Sequence, residues 1–156
     1  KIYYISRLNR QGGKSHYDIL NEESPIKLSP AGTHKIHGRQ IPLEETLIYA
    51  IKTRKLRAIL ASLALFRNIT GWKLLADMAK QDNTRRIAGC LYDLARRIMR
   101  TRRMSMKFRK SALPSKGDKF IHIIDGMESK DFKDIESAWK VYLPFNKSDL
   151  QEYMRK

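Results

Sequence analysis

The chain has 156 residues, enough for one hydrophobic core or for two small lobes that share one, and too few for two full domains. Hydrophobic residues make up 42% of it, and with seven Tyr, five Phe and two Trp this composition excludes a disordered basic tail. The formal net charge of +16 predicts a polyanionic partner.

Cysteine content and hydropathy bear on the compartment. The single cysteine, Cys90, can form no internal disulfide and is expected to be a small buried hydrophobe. The longest apolar run, Ala58 to Phe66, is interrupted by Ser62 and is far shorter than the roughly 18 residues that span a bilayer. The N-terminal residues do not resemble a secretory signal. We therefore expect a reducing, cytoplasmic setting and no membrane partner. The chain begins with Lys1 rather than Met, so a preceding N-terminal domain is left open.

Residues 1–42 are expected to form short strands and hairpins within the same domain as the rest of the chain. The segment Lys1 to Leu8 is rich in Ile and Tyr, and a pair of glycines follows it, which is typical of a strand that ends in a turn. A second strand pair is predicted on either side of His37-Gly38.

Residues 43–110 are predicted to form a helical core of four helices. Pro42 suits the start of the first helix, and Glu44 and Glu45 place negative charge at the positive end of its dipole. The second helix, within residues 55–66, is apolar on nearly every side and must be covered by its neighbours, so it is expected at the centre. The third contains Trp72.

The fourth helix is basic and is predicted within Thr84 to Lys110. Apolar residues from Ile87 to Ile98 recur at helical spacing and share one face. Winding the whole stretch as a helix places Arg85, Arg96, Arg100 and Arg103 on the opposite face. The stretch holds ten cations and one acid, Asp93, so it carries +9 of the net charge.

Like charges this close repel, so a nucleic acid or an acidic protein surface is expected to balance them. Guanidinium groups match phosphates and carboxylates equally well, and charge alone leaves both partners open. Tyr92 and Phe108 are candidates for stacking on bases or, equally, for the edge of the core. The residues predicted to bind nucleic acid are Arg85, Arg86, Arg96, Arg97, Arg100, Arg102, Arg103, Lys107, Arg109 and Lys110.

Residues 111–156 are predicted to form a linker, a strand pair and a closing helix, and their net charge is zero. The strands are expected at Phe120 to Ile124 and at Ala138 to Leu143, where β-branched and aromatic residues dominate. Together with residues 1–42 this gives an α+β fold, with a central core of four helices and short antiparallel strands contributed by both ends.

The sequence supports no catalytic or metal-binding pattern. His34 and His37 lack the further ligands of a zinc site, and His16 and His122 stand alone. Glu44 and Glu45 are adjacent and point about 100° apart on a helix, so they do not form a paired acid and base. We therefore predict no enzymatic activity, no metal and no cofactor. RNA binding or a nuclease using a histidine remains a further alternative.

Four segments resemble the C-terminal domain of AbiEi-like antitoxins of type IV toxin–antitoxin systems. Gln40 to Ala50 is similar to the point where a small hairpin leads into the first helix, and Asn68 to Ala79 to a Trp-containing helix. Arg85 to Leu94 resembles the R-R-x-x-G-x-L-x-x-L segment, and Ser137 to Leu143 a late Trp-containing strand. The match covers roughly Lys35 to Asn146 in the right order.

The resemblance implies a cytoplasmic antitoxin that opposes a nucleotidyltransferase-like toxin and represses its own operon by binding promoter DNA. In that family a winged helix usually precedes this domain and carries most of the DNA recognition. Residues 1–42 show no helix-turn-helix pattern, so the DNA contact expected of this chain is a phosphate contact by the arginine helix and not sequence-specific recognition. The resemblance and the charge together predict a DNA-associated antitoxin or transcriptional repressor module, with duplex DNA favoured over RNA. The alternative is a non-catalytic domain that docks an acidic protein.

Overall fold

Helices dominate the computed structural model, which describes residues 13–30 and 32–154. Within these residues the α-helices are α1 (His16–Glu23), α2 (Leu43–Thr53), α3 (Leu56–Ser62), α4 (Trp72–Met78), α5 (Asp82–Ile98), α6 (Met106–Ala112), α7 (Lys133–Trp139) and α8 (Gln151–Met154). Short 3-10 helices at Leu63–Arg67 and Lys147–Leu150 extend α3 and precede α8. The strands are β1 (Ile121–His122) and β2 (Val141–Tyr142).

The α+β class is confirmed, but the prediction of antiparallel strands from both ends is wrong. β1 and β2 pair in parallel, with Ile121 opposite Val141, and both come from the C-terminal part of the chain. Parallel neighbours need a crossover connection, and α7 supplies it. The segment predicted as one strand at 138–143 is instead the end of α7 followed by β2, because Lys140 adopts a left-handed conformation that ends the helix.

The N-terminal part of the chain also departs from its prediction. The strand predicted at Lys1 to Leu8 lies outside the described residues. In place of a strand pair around Gly38, Ile36 forms a single antiparallel bridge with Lys14. The helix α1 was not predicted, although Ser15 and Asp18 form a capping box that marks its start, with each side chain accepting from the other residue's backbone amide.

The predicted central helix is α3 with its 3-10 extension, and residues 58–66 are buried throughout. Tyr153 of α8 packs onto it and donates a hydrogen bond to the Ala61 carbonyl at 2.9 Å. Burial raises the pKa of the Tyr153 hydroxyl to about 12. This hydroxyl therefore stays protonated and fixes the closing helix against the core.

Close contact between α5 and α7 depends on a glycine. A Cβ atom built on Gly89 would lie 2.3 Å from Cη2 of Trp139, a distance that no side chain tolerates. The Trp139 ring is fully buried in this notch, and its Nε1 donates to Oδ2 of Asp93 at 2.7 Å. Gly89 and Asp93 therefore face α7 from outside the apolar stripe of α5. The stripe itself is buried in the core, as its spacing predicted, and Cys90 is buried with it as expected.

Glu44 lies in the first turn of α2, as predicted, and has a second role in the core. Its side chain is buried, and Oε2 accepts a hydrogen bond from the backbone amide of Gly71 at 2.9 Å, just before α4. It therefore ties the start of α2 to the start of α4. Glu45 pairs instead with Arg39 through two hydrogen bonds of 2.9 Å.

His16 is the buried titratable group of the N-terminal part. Its ring stacks on Tyr49 with a centroid separation of 4.3 Å, and Nδ1 lies 3.0 Å from the Thr46 hydroxyl. Burial lowers the pKa of His16 from its ordinary 6.5, an effect partly opposed by the Glu45 carboxylate, 3.5 Å from Nε2. The cationic form of His16 is therefore disfavoured in the folded protein.

We predict that the free energy of unfolding falls as the pH drops below the ordinary histidine pKa of 6.5. In that window the unfolded chain takes up a proton at His16 that the folded chain resists. The carboxylates with lowered pKa values titrate at more acidic pH. Urea unfolding between about pH 7.5 and 5 should show a steeper loss for the wild type than for His16→Gln. Parallel curves for the two proteins would contradict the prediction.

Candidate nucleic-acid interface

The basic stretch is not one helix, so the predicted helical positions of Arg100 and Arg103 are wrong. Helix α5 ends at Ile98, and Met99 is extended with φ −153° and ψ 166°. The next helix, α6, starts after Ser105, whose hydroxyl accepts from the Phe108 amide at 3.0 Å. We call residues 99–105 the arginine segment, since it carries Arg100, Arg102 and Arg103 in non-helical conformation.

The hydroxyl of Tyr92 on α5 forms hydrogen bonds with the backbone of the arginine segment. Its hydroxyl donates to the Arg102 carbonyl at 3.0 Å and accepts from the Met104 amide at 3.0 Å. One buried side chain thereby satisfies two backbone groups that a continuing helix would have used for itself. This gives a physical reason for the break, and the repulsion between arginines three and four residues apart adds to it.

Two further hydrogen bonds complete this support. Nε1 of Trp72 donates to the Arg103 carbonyl at 3.1 Å, and the Arg102 amide donates to the Phe66 carbonyl at 3.1 Å. The backbone of residues 102–104 is therefore bonded to α4, to α5 and to the 3-10 helix at once. Its conformation is set by the core, although the arginine side chains on it are exposed.

The aromatic side chains beneath the segment form one cluster. Trp72 contacts Phe66, Tyr92 and Phe108 with ring centroids 6.2, 5.5 and 5.2 Å apart. Tyr92 and Phe108 are 3% and 2% exposed. Of the two roles that the sequence left open for Tyr92 and Phe108, the structure shows the second: both belong to the core and offer no surface on which bases could stack.

Several of the predicted binding residues are engaged within the protein. Arg86 is only 6% exposed, and its guanidinium donates to the carbonyls of Lys119 and Lys140 and to the Asn83 side chain. It therefore anchors the backbone that leads into β1 and β2. Arg85 is half-buried and donates from Nε to the Ala79 carbonyl at 2.8 Å.

Two arginines form bidentate ion pairs. Arg109 donates to both carboxylate oxygens of Asp93 at 3.2 and 2.9 Å, and the bonds raise the pKa of this arginine. Arg97 pairs in the same way with Asp134, raising its own pKa and lowering that of the carboxyl. Arg96 lies 3.9 Å from Asp93 and is exposed. The single acid of the basic stretch is thus shared by two arginines.

The remaining predicted cations are exposed, and within the described residues their side chains have no acidic partner and no hydrogen bond. Arg67, at the end of the 3-10 helix, shares these properties but was missed, because the sequence places it on the apolar central helix and not in the basic stretch. We call the following six residues the unpaired cations: Arg67, Arg100, Arg102, Arg103, Lys107 and Lys110.

Two clefts border the arginine segment. The first, of about 900 Å³, is lined by Arg103 and Met104 of the segment and by Arg96, Asp93 and Asp134 among others. The second, of about 670 Å³, is lined by Arg67, Arg100 and Arg102, with Ile98 and Tyr153 at its apolar side. We call them the Arg103 cleft and the Arg67 cleft.

The histidines that the sequence weighed for metal or catalysis lie apart from this surface. His16 of α1 is buried against α2, and His122 of β1 lies 3.3 Å from Glu128. Across residues 13–30 and 32–154, no group of three or more metal-ligating side chains comes together. That the chain catalyses nothing and needs no cofactor stays a prediction. No helix in the same residues is long and apolar enough to cross a bilayer.

Comparison with protein-family models, with curated proteins and with solved structures finds no significant match to this chain.

We predict that Tyr92→Phe lowers the free energy of unfolding by about 2 kcal/mol, because the Met104 amide and the Arg102 carbonyl both lose their buried partner. Chemical denaturation measures the difference. The matched control is Tyr142→Phe, since the Tyr142 hydroxyl makes no hydrogen bond within the described part of the chain. Equal stability losses in the two variants would show that Tyr92 does not hold the arginine segment.

Proposed function

We propose that this chain is a nucleic-acid-binding domain that contacts the phosphate backbone of duplex DNA through the unpaired cations. The observation that carries the proposal is the sorting of the basic residues into two groups. Arg86, Arg97 and Arg109 are bonded to protein groups. The unpaired cations are exposed and concentrated on the arginine segment, on α6 and beside them at Arg67.

Electrostatics supports a polyanion as the partner. The unpaired cations are crowded, and three of them lie within four consecutive residues, so their mutual repulsion costs stability in the free protein. Each phosphate contact would relieve that repulsion and release counterions from the DNA. The core already fixes the backbone of residues 102–104, so binding costs the entropy of the arginine side chains but little backbone entropy.

Duplex DNA is favoured over single-stranded nucleic acid by the burial of the nearby rings. Proteins that bind single strands without sequence preference use exposed aromatic side chains on which the bases stack. Trp72, Tyr92 and Phe108, which lie beneath the arginine segment, are all buried. The contacts available at this surface are guanidinium and ammonium groups, which suit a phosphate backbone.

The biological role stays a prediction from the family resemblance: a DNA-associated antitoxin or transcriptional repressor, with a cognate toxin as protein partner in the cytoplasm. Docking to an acidic protein would use the same unpaired cations. The dependence of binding on salt separates the two partners, because a protein interface is set by a few desolvated anchors and loses less affinity as salt rises.

The test removes three unpaired cations at once. Arg100, Arg102 and Arg103 are changed to Gln, and binding of a fluorescent duplex of about 20 base pairs is measured by anisotropy at several salt concentrations. The slope of log K against log salt is negative, and losing three phosphate contacts should reduce its magnitude by about 2.7. Binding should also weaken about tenfold or more near 100 mM salt.

The matched control is the triple change of Lys52, Lys80 and Lys130 to Gln. These lysines are exposed and line neither cleft, so the variant has the same net charge with the arginine segment intact. We expect its salt slope to stay close to that of the wild type. Slopes reduced equally in both triple variants would assign DNA binding to the general charge of the protein. A slope that is unchanged in the arginine variant would reject this surface as the interface.

A further inference from the structure

The arginine segment stands between two clefts, and this arrangement defines a more specific ligand. Thr101 lines both clefts, Arg103 lines only the first, and Arg100 and Arg102 line only the second. The segment therefore separates the two clefts, and we call it the ridge for that reason. Arginines of the ridge line both clefts, and each cleft is also lined by an arginine from outside the ridge, Arg96 in the first and Arg67 in the second.

We propose that this ridge inserts into the minor groove of A·T-rich duplex DNA, an inference that rests on the proposed function. The minor groove is about 6 Å wide, which admits a single non-helical backbone but not an α-helix of about 10 Å diameter. With the ridge in the groove, the two phosphate strands lie over the two clefts. Arg67 and Arg96 then face phosphates, and the segment faces the base edges.

Arginine chemistry and groove shape point to A·T-rich sequence. A-tracts have a narrow minor groove with enhanced negative potential, and that potential attracts arginine side chains. A guanidinium is more weakly hydrated than an ammonium, so it is the more readily transferred into so narrow a space. All three cations on the segment are arginines. The lysines, Lys107 and Lys110, lie outside it on α6, where a backbone phosphate is the expected contact.

The acidic groups of the Arg103 cleft do not oppose this placement. Asp93 and Asp134 line that cleft, but each carboxylate is occupied by a bidentate arginine, Arg109 and Arg97 respectively. The same bonds disfavour major-groove docking through α5. Arg97 is tied to Asp134, Arg86 is buried and Arg85 is bonded to a backbone carbonyl, so the helix presents few arginines that are free to reach base edges.

The test compares two duplexes of equal length with identical flanks, one with a central A-tract and one with a central G·C block, bound by the full chain. We expect about fivefold to tenfold tighter binding to the A-tract duplex. Distamycin, which occupies the minor groove, should displace the protein from it. Changing Arg100, Arg102 and Arg103 to Lys keeps the charge, and should abolish the preference while leaving G·C binding within about twofold.

The control changes Lys107 and Lys110 to Gln and should weaken binding to both duplexes by the same factor, since phosphate contacts carry no sequence information. Equal affinity of the wild-type chain for the two duplexes would overturn the minor-groove inference and leave the proposed function standing. Failure to be displaced by distamycin, or a preference that survives the change to lysine, would also overturn it. Absence of binding to either duplex would overturn the proposed function itself.

Discussion

The basic surface of this protein depends on hydrogen bonds from two buried aromatic side chains to the backbone that follows α5. Tyr92 and Trp72 occupy the carbonyls of Arg102 and Arg103, and Tyr92 also accepts from the Met104 amide. A stretch with five arginines within eight residues would otherwise be expected to extend into solvent, because like charges repel. Here hydrogen bonds from the core fix the backbone of residues 102–104, so the mutually repelling arginines are held in a defined arrangement.

The distribution of acids then separates structural cations from those available to a ligand. Asp93 accepts from Arg109 and from Trp139, and it also lies near Arg96, so a single carboxylate joins α5 to α6 and α7. Asp134 of α7 accepts from Arg97 and so forms a second link between α5 and α7. No acid among the described residues pairs with the arginine segment or with Arg67, which lines the Arg67 cleft. The unpaired basic surface that we propose as the interface is consequently smaller than the basic stretch and is centred on the residues between α5 and α6.

Periodicity was sufficient to predict several helices of the core, because an apolar stripe or an all-apolar run has few ways to be buried. It placed the central helix, the Trp72 helix and the buried side of α5 correctly. It failed where long-range contacts decide: the break after Ile98 depends on Tyr92 and Trp72, and the burial of Arg86 depends on carbonyls more than 30 residues away. The parallel pairing was missed because the end of α7 and the start of β2 lie within one short segment that reads as a single strand. Arg67 was missed because a lone cation beside an apolar run carries no signal of its own.

Hydrogen exchange of the arginine segment, measured by NMR with and without a duplex, tests most directly whether a prearranged ridge is the interface. In the free protein the amides of Arg102 and Met104 should exchange slowly, since they are bonded to the Phe66 carbonyl and the Tyr92 hydroxyl. On addition of DNA, new protection should appear at Arg100, Thr101 and Arg103. Rapid exchange of all these amides in the free protein, together with no change on adding DNA, would contradict the account.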